Sequence, residues 1–177
     1  SATVIGLVWV WLLDTQFGLV NRYLGLIGIE DIPWLTSGRW SLIGVSIASI
    51  WWDVGLAFVI FLAALQEVPK ELQEAAAIDG AGRLRQFWHV TLPQLRPAVS
   101  MVVTLQLIAS LRIFSQVYVM TNGAPSGASQ SVIHYVYQIA IVQYRLGYAS
   151  AVSMLLFALI LTLTVLQRLV LRERARG

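Results

Sequence analysis

Long apolar runs alternate with shorter polar stretches along this chain, and the length of each run limits what it can form. A helix rises about 1.5 Å per residue, so crossing a hydrocarbon core about 30 Å thick takes roughly 20 residues. Three runs reach that length: Leu42–Leu65, Ala98–Met120 and Ala149–Leu171. Each is predicted to form a membrane-spanning helix. Ala2–Leu13 is equally apolar but too short, and it begins abruptly without a charged flank. It reads as the end of a truncated span. A signal peptide would need a basic start and a small-residue cleavage site, and the stretch ending at Asp14 supplies neither. The predicted fold class is all-α: a polytopic membrane helical bundle, three full spans plus part of a fourth, forming one domain over residues 1–177.

Charge orients these spans. The stretch Gln66–Pro97 carries Lys70, Arg83, Arg85 and Arg96, and the last span and tail carry Arg168, Arg172, Arg174 and Arg176. The stretches Asp14–Ser41 and Thr121–Tyr148 together hold only Arg22, Arg39 and Arg145. Cytoplasmic loops are enriched in Lys and Arg, so residues 66–97 and the C-terminus are predicted to be cytoplasmic and the other two stretches outward-facing. The turn-rich outward sequence TNGAPSGASQS reads as an ordinary loop.

Composition supports lipid burial: 58% of residues are hydrophobic and only 12% charged, too apolar for a soluble domain of this size. The net charge of +3 follows topology rather than a nucleic-acid surface. With no cysteine, and with His89 and His134 isolated in sequence, neither a disulfide framework nor a metal site is expected. No GxxxxGK[ST] phosphate loop and no Ser/His/Asp set appears, which disfavours a membrane enzyme.

Two groups of residues carry candidate chemistry. In the basic loop, Pro69 can open a helix running to about Ile78, and Gly80 and Gly82 can take positive φ to end it. A second short helix over Arg83–Leu92 follows, with Pro93 and Pro97 marking re-entry into the membrane. Ala75, Ala76 and Ala77 leave a smooth side for close approach by another protein, although an amphipathic connector lying on headgroups would satisfy the same pattern. Inside the spans, Ser49 and Asp53 stand four apart beside Trp52, and Gln106 and Ser110 stand four apart on the next run. Carboxylate, amide and indole together suit a sugar, so Ser49, Trp52, Asp53, Gln106 and Ser110 are candidate substrate-binding residues. The alternative is structural: Asp53 pairing with Arg112 or a neighbouring subunit, and the serines packing helices.

The spacing of Glu74-Ala75-Ala76, Asp79-Gly80-Ala81, Phe87 and Leu92-Pro93, preceded by FLAALQEVPKEL, resembles the EAA signature of ABC importer permeases. The segments FSQVYVMTNGAPSGASQSVIHYVYQIAI and YRLGYASAVSMLLF are similar to carbohydrate-uptake permeases of the maltose and glycerol-phosphate type, specifically the maltose-permease-like first subunit of a heterodimer. The resemblance implies a type I importer permease fold of six core spans, whose N-terminal spans are missing from these residues. It implies that residues 66–97 are the coupling loop, with Glu74, Ala75, Ala76, Asp79 and Gly80 meeting the ATPase. Implied partners are a second permease subunit, two ATP-binding subunits, an extracytoplasmic substrate-binding protein and the lipid bilayer of a prokaryotic inner membrane. No cofactor is implied on this chain, since ATP and Mg belong to the partner ATPase. The expected cargo is a mono-, di- or oligosaccharide, with glycerol-phosphate or another polyol as the alternative. Outside transport, the competing reading is a membrane scaffold.

Overall fold

In the computed structural model the chain is described over residues 1–173, and every regular element among them is helical. In chain order these are α1 (Ala2–Leu12), α2 (Leu19–Gly25), α3 (Ser41–Gln66), α4 (Lys70–Ile78), α5 (Arg83–Gln94), α6 (Arg96–Leu111), α7 (Ser115–Met120), α8 (Val132–Val142) and α9 (Leu146–Glu173). The tail arginines Arg174 and Arg176 lie outside the described residues.

Two of the expected spans are single helices: α3 has 26 residues and α9 has 28. Each is long enough to cross a bilayer. Their flanks carry exposed Trp51, Val54, Leu56 and Phe58 on α3 and Met154, Leu155 and Phe157 on α9, as expected of helices solvated by lipid or covered by other helices.

The expected middle span Ala98–Met120 is not one helix. α6 stops at Leu111, the chain leaves helical geometry through Phe114 at φ −135°, and α7 begins at Ser115. Arg112 N–H donates to the Ala109 carbonyl at 3.2 Å, and the Ser131 hydroxyl takes the Ile113 carbonyl at 2.6 Å. Side-chain capture of a freed carbonyl makes this break stable. The other end of α6 is also shaped locally: α5 and α6 meet at Leu95 with a bend of 63°. Pro97 cannot donate a backbone hydrogen bond and its ring crowds the preceding turn, which explains a kink at that place.

The described chain divides into two units. The first, residues 1–53 with 109–161, is packed around Leu13, Trp34, Val45, Ala48, Val117 and Met120. The irregular segment before α3 is fixed there by one buried amide. Asn21 donates to the Thr15 and Ile32 carbonyls at 3.3 and 2.9 Å, and its Oδ1 accepts from Ile32 N–H at 3.3 Å and Trp34 Nε1–H at 2.8 Å. Gly44 permits the close pass of that segment over α3, since a Cβ there would lie 3.0 Å from the Trp34 carbonyl oxygen. In the second unit, residues 54–108 with the described residues from 162 onward, Gln167 of α9 donates to the Ser100 carbonyl at 3.2 Å and the Thr104 hydroxyl at 2.9 Å on α6. A cleft of about 470 Å³ in this unit is lined by residues including Ile60, Glu67, Val68, Gln94 and Met101.

Candidate functional site

The loop between α3 and α6 folds into a knuckle of two helices joined by a tight turn. α4 begins directly after Pro69, with Glu71 in its first turn, where a carboxylate favours the partial positive end of a helix. Its end is a complete Schellman closure: Ala81 N–H reaches back to the Ala76 carbonyl at 2.9 Å, and Gly80 N–H reaches the Ala77 carbonyl at 3.0 Å. Gly80 takes φ +78°, the left-handed conformation that the sequence predicted for it. Gly82 does not. It sits at φ −64° in extended backbone and leads into α5, because one left-handed residue is enough to close α4 and the next helix needs an extended entry.

α5 runs two residues beyond the expected Leu92 and contains a π turn at Phe87–Thr91, where Leu92 N–H bonds to the Phe87 carbonyl. The Gln86 amide donates to the Ala81 carbonyl at 2.7 Å and ties α5 back to the turn. Nothing on α4 is buried: Glu74, Ala75 and Asp79 are exposed and Ala76 is half-buried. Around them stand apolar side chains open to solvent, Ile78 at 87% and Leu84 at 74% exposure, with Leu72, Phe87 and Trp88 alongside. The Phe87 and Trp88 rings meet edge to face at 5.7 Å. A shallow hollow lies beside them, lined by Gly82, Arg83, Leu84, Arg85, Trp88 and His89. Large apolar side chains projecting from a charged, tightly closed turn form an exposed apolar patch.

The polar residues of the spans are placed differently. Ser49, Trp52 and Asp53 share one stretch of α3 in the first unit; Asp53, near the middle of the helix, is half-buried and Trp52 is 41% exposed. The Ser49 hydroxyl donates to the Val45 carbonyl at 2.7 Å, so toward a ligand it offers lone pairs rather than its proton. Ser110 lies in the last turn of α6 and belongs to the first unit as well, whereas Gln106, half-buried, belongs to the second.

Sequence reasoning passed over a buried polar cap. Residues 121–131 are an organised turn in which the Thr121 and Ser129 hydroxyls meet at 2.7 Å and Ser129 donates to the Ala124 carbonyl at 2.8 Å. His134, fully buried, holds Asn122 Oδ1 at 3.0 Å through Nε2, and burial pushes its pKa below the ordinary histidine range. Phe114, Tyr118 and Tyr137 pack with it. Gly123, at φ +79°, leaves room for the imidazole, which a Cβ there would meet at 3.1 Å. No periodicity marks such a cap; the Gly-rich composition alone signalled a turn.

The family described as "Binding-protein-dependent transport system inner membrane component" matches residues 2–176. The sulfoquinovosyl glycerol transport system permease protein SmoG of Agrobacterium fabrum is 32% identical over 169 residues, covering 96% of this chain and 55% of the relative. The trehalose/maltose transport system permease protein MalF of Thermococcus litoralis is 34% identical, covering 89% of this chain and 53% of the relative. The multiple sugar-binding transport system permease protein MsmF of Streptococcus mutans is 36% identical, covering 94% and 57%. The chain thus spans just over half the length of these relatives. Among solved structures, a bacterial ABC transporter involved in import of the acidic polysaccharide alginate superposes with a TM-score of 0.86 over 98% of this chain and 61% of that one, at 23% identity. That likeness establishes the helical permease fold. The chain belongs to the binding-protein-dependent inner membrane components, the permease family of ABC importers.

Proposed function

We propose that this chain supplies membrane-spanning segments and the ATPase-coupling loop of a permease that imports a carbohydrate delivered by an extracytoplasmic binding protein. The observation that carries this reading is the α4–α5 knuckle, closed by Gly80 and crowned by exposed Ile78, Leu84 and Trp88. A surface of that kind is costly to leave in water and gains free energy when a partner covers it. The partner is a pair of ATP-binding subunits: on closing around ATP they draw the coupling loops of two permease subunits together and rock the spans around a central site. Glu74 and Asp79 provide the polar contacts and Ala75 and Ala76 the close approach.

The cargo is a sugar. Support comes from relatives named for sulfoquinovosyl glycerol, trehalose/maltose and multiple sugars, and from the alginate importer of like fold. Each candidate residue carries chemistry suited to a sugar: the Asp53 carboxylate and Gln106 amide can hydrogen-bond hydroxyl groups, the Ser49 and Ser110 oxygens can accept further bonds, and Trp52 offers a face for the apolar side of a pyranose. The basic loop 66–97 faces the cytoplasm of a prokaryotic cell, and the segments before α3 and between α7 and α9 face outward.

The test is reconstitution of the permease with its partner permease, ATPase and binding protein in vesicles. Sugar-loaded binding protein should stimulate ATP hydrolysis and uptake, and Glu74→Ala should uncouple them. ATP hydrolysis indifferent to the binding protein would refute the importer reading.

A further inference from the structure

Two guanidinium groups in this chain are stacked on aromatic rings, and both stand at the entrance of a long apolar helix. Arg39 lies 5.7 Å over Trp40, immediately before α3, and Arg145 lies 5.2 Å over Tyr148, immediately before and within the first turn of α9. Both pairs belong to the first unit. Each has a second ring nearby: Trp40 meets Trp34 edge to face at 5.2 Å, and Tyr135 stands beside Tyr148. Both arginines are exposed, and among the described residues neither is paired with a carboxylate. Around Arg145 the surface is apolar, with Tyr144 at 84% exposure and Val142 and Leu146 each more than half exposed.

We infer that Arg39–Trp40 and Arg145–Tyr148 are twin clamps for the phosphate of anionic phospholipid headgroups, fixing the depth of α3 and α9 in one leaflet. The chemistry fits at each level. Trp and Tyr prefer the headgroup zone, where the ring is half in hydrocarbon and its polar edge is wet. An arginine stacked on such a ring presents its remaining N–H groups in a planar fork, the shape that binds a phosphate through two bonds. The apolar side chains next to Arg145 continue the lipid-facing surface of α9, so the guanidinium comes to rest where hydrocarbon gives way to phosphate. On the proposed topology the chain crosses the membrane once between α3 and α9, so the two entrances lie at the same face. That this is the outer leaflet rests on the topology proposed above.

The assembled transporter would be placed in phosphatidylcholine bilayers with and without phosphatidylglycerol, and the retained lipid counted by native mass spectrometry. The wild type is expected to retain phosphatidylglycerol preferentially. Arg39→Gln and Arg145→Gln are each expected to lose part of that preference, and the double variant all of it. Arg→Lys variants keep the charge without the fork and should retain an intermediate amount; should a Gln variant not assemble, Lys retaining as much as Arg overturns the inference. An undiminished preference in the Gln variants overturns it as well. So does an unchanged lipid preference with lost stimulation by the binding protein, which would make these arginines a protein-docking site. Labelling Ser126→Cys with an impermeant thiol reagent reads topology separately: labelling from inside alone would overturn the outer-leaflet assignment.

Discussion

Gly80 gives the sharpest test of the coupling loop, because its structural cost can be isolated from everything else. A Cβ added at Gly80 meets nothing within 4 Å, so a substitution there is opposed only by its φ of +78°. Holding an ordinary L-residue in left-handed geometry costs about 1–2 kcal/mol. For a whole protein that is modest, but α4 is nine residues long with no buried side chain, and it depends on the two closing bonds from Gly80 and Ala81. A loss of 1–2 kcal/mol lowers the ratio of closed to frayed knuckle by roughly 5- to 30-fold. Gly80→Ala should therefore cut coupled ATP hydrolysis and uptake without altering membrane insertion, and should speed amide exchange at Ala81. Gly80→Asn, better tolerated in this geometry, should fall between. Gly80→Pro should abolish coupling, since proline forbids the φ and removes the N–H given to Ala77. Gly82→Ala is the control: with φ −64° and nothing within 4 Å of a new Cβ, it should be neutral. Equal activities for Gly80→Ala and Gly82→Ala would refute the argument that backbone handedness shapes the docking surface.

Glu74→Ala preserves helix propensity but removes an exposed carboxylate; if that group makes one charged hydrogen bond to the ATPase, worth about 1.5–3 kcal/mol, uptake in vesicles should drop about tenfold or more while the subunits still insert. Asp53→Asn and Gln106→Ala should each change the relative uptake rates of competing sugars without dissociating the complex, and unaltered rates for every sugar would rule both out as sugar contacts. Asn21→Ala strands the Trp34 indole N–H and the Ile32 amide, and should destabilise the permease by about 1–3 kcal/mol per buried donor, read by thermal melts in detergent. His134, depressed by burial below its usual 6.5, binds fewer protons folded than unfolded, so it contributes stability that is complete above about pH 6.5 and is lost as pH falls through its lower folded value. Melts across mildly acidic pH should slope less steeply in His134→Asn than in wild type.

The spans and the knuckle were legible in the sequence for different reasons. α3 and α9 follow from uninterrupted apolar length, a signal that needs no tertiary information. α4 and its closure follow from local backbone chemistry, Pro69 before the helix and Gly80 after it. The same local reasoning failed at Gly82, because two glycines so close offer two closures and sequence does not say which one the chain uses. It failed again over 98–120, where hydrophobicity continues past Leu111 although the helix does not. That break is stabilised by the Ser131 hydroxyl, 18 residues away, and by Phe114 packing on Tyr118 and Tyr137. Contacts at that separation leave no periodic trace. The polar cap around His134 was missed in the same way, its parts being scattered from Phe114 to Tyr137.

The bend at Leu95 bears on how the knuckle can act on the membrane. α5 is anchored to the α4 turn by Gln86, and α6 starts immediately after the buried Leu95, so no slack linker intervenes between the knuckle and α6. A pull on the knuckle is then delivered to α6 as a torque about that bend. α6 is in turn held to the second half of α9 by Gln167 and its bonds to Ser100 and Thr104, one turn apart. A rotation of α6 must therefore carry that stretch of α9 with it or break two hydrogen bonds between half-buried groups. Replacing Gln167 with leucine separates these alternatives: it fills most of the same volume with apolar atoms and removes the tie. If α6 and α9 move as one lever, Gln167→Leu should leave ATP hydrolysis stimulated by the binding protein but lower the sugar moved per ATP. If transport per ATP is unchanged while the melting temperature falls, the bonds serve stability alone and the lever stops at α6.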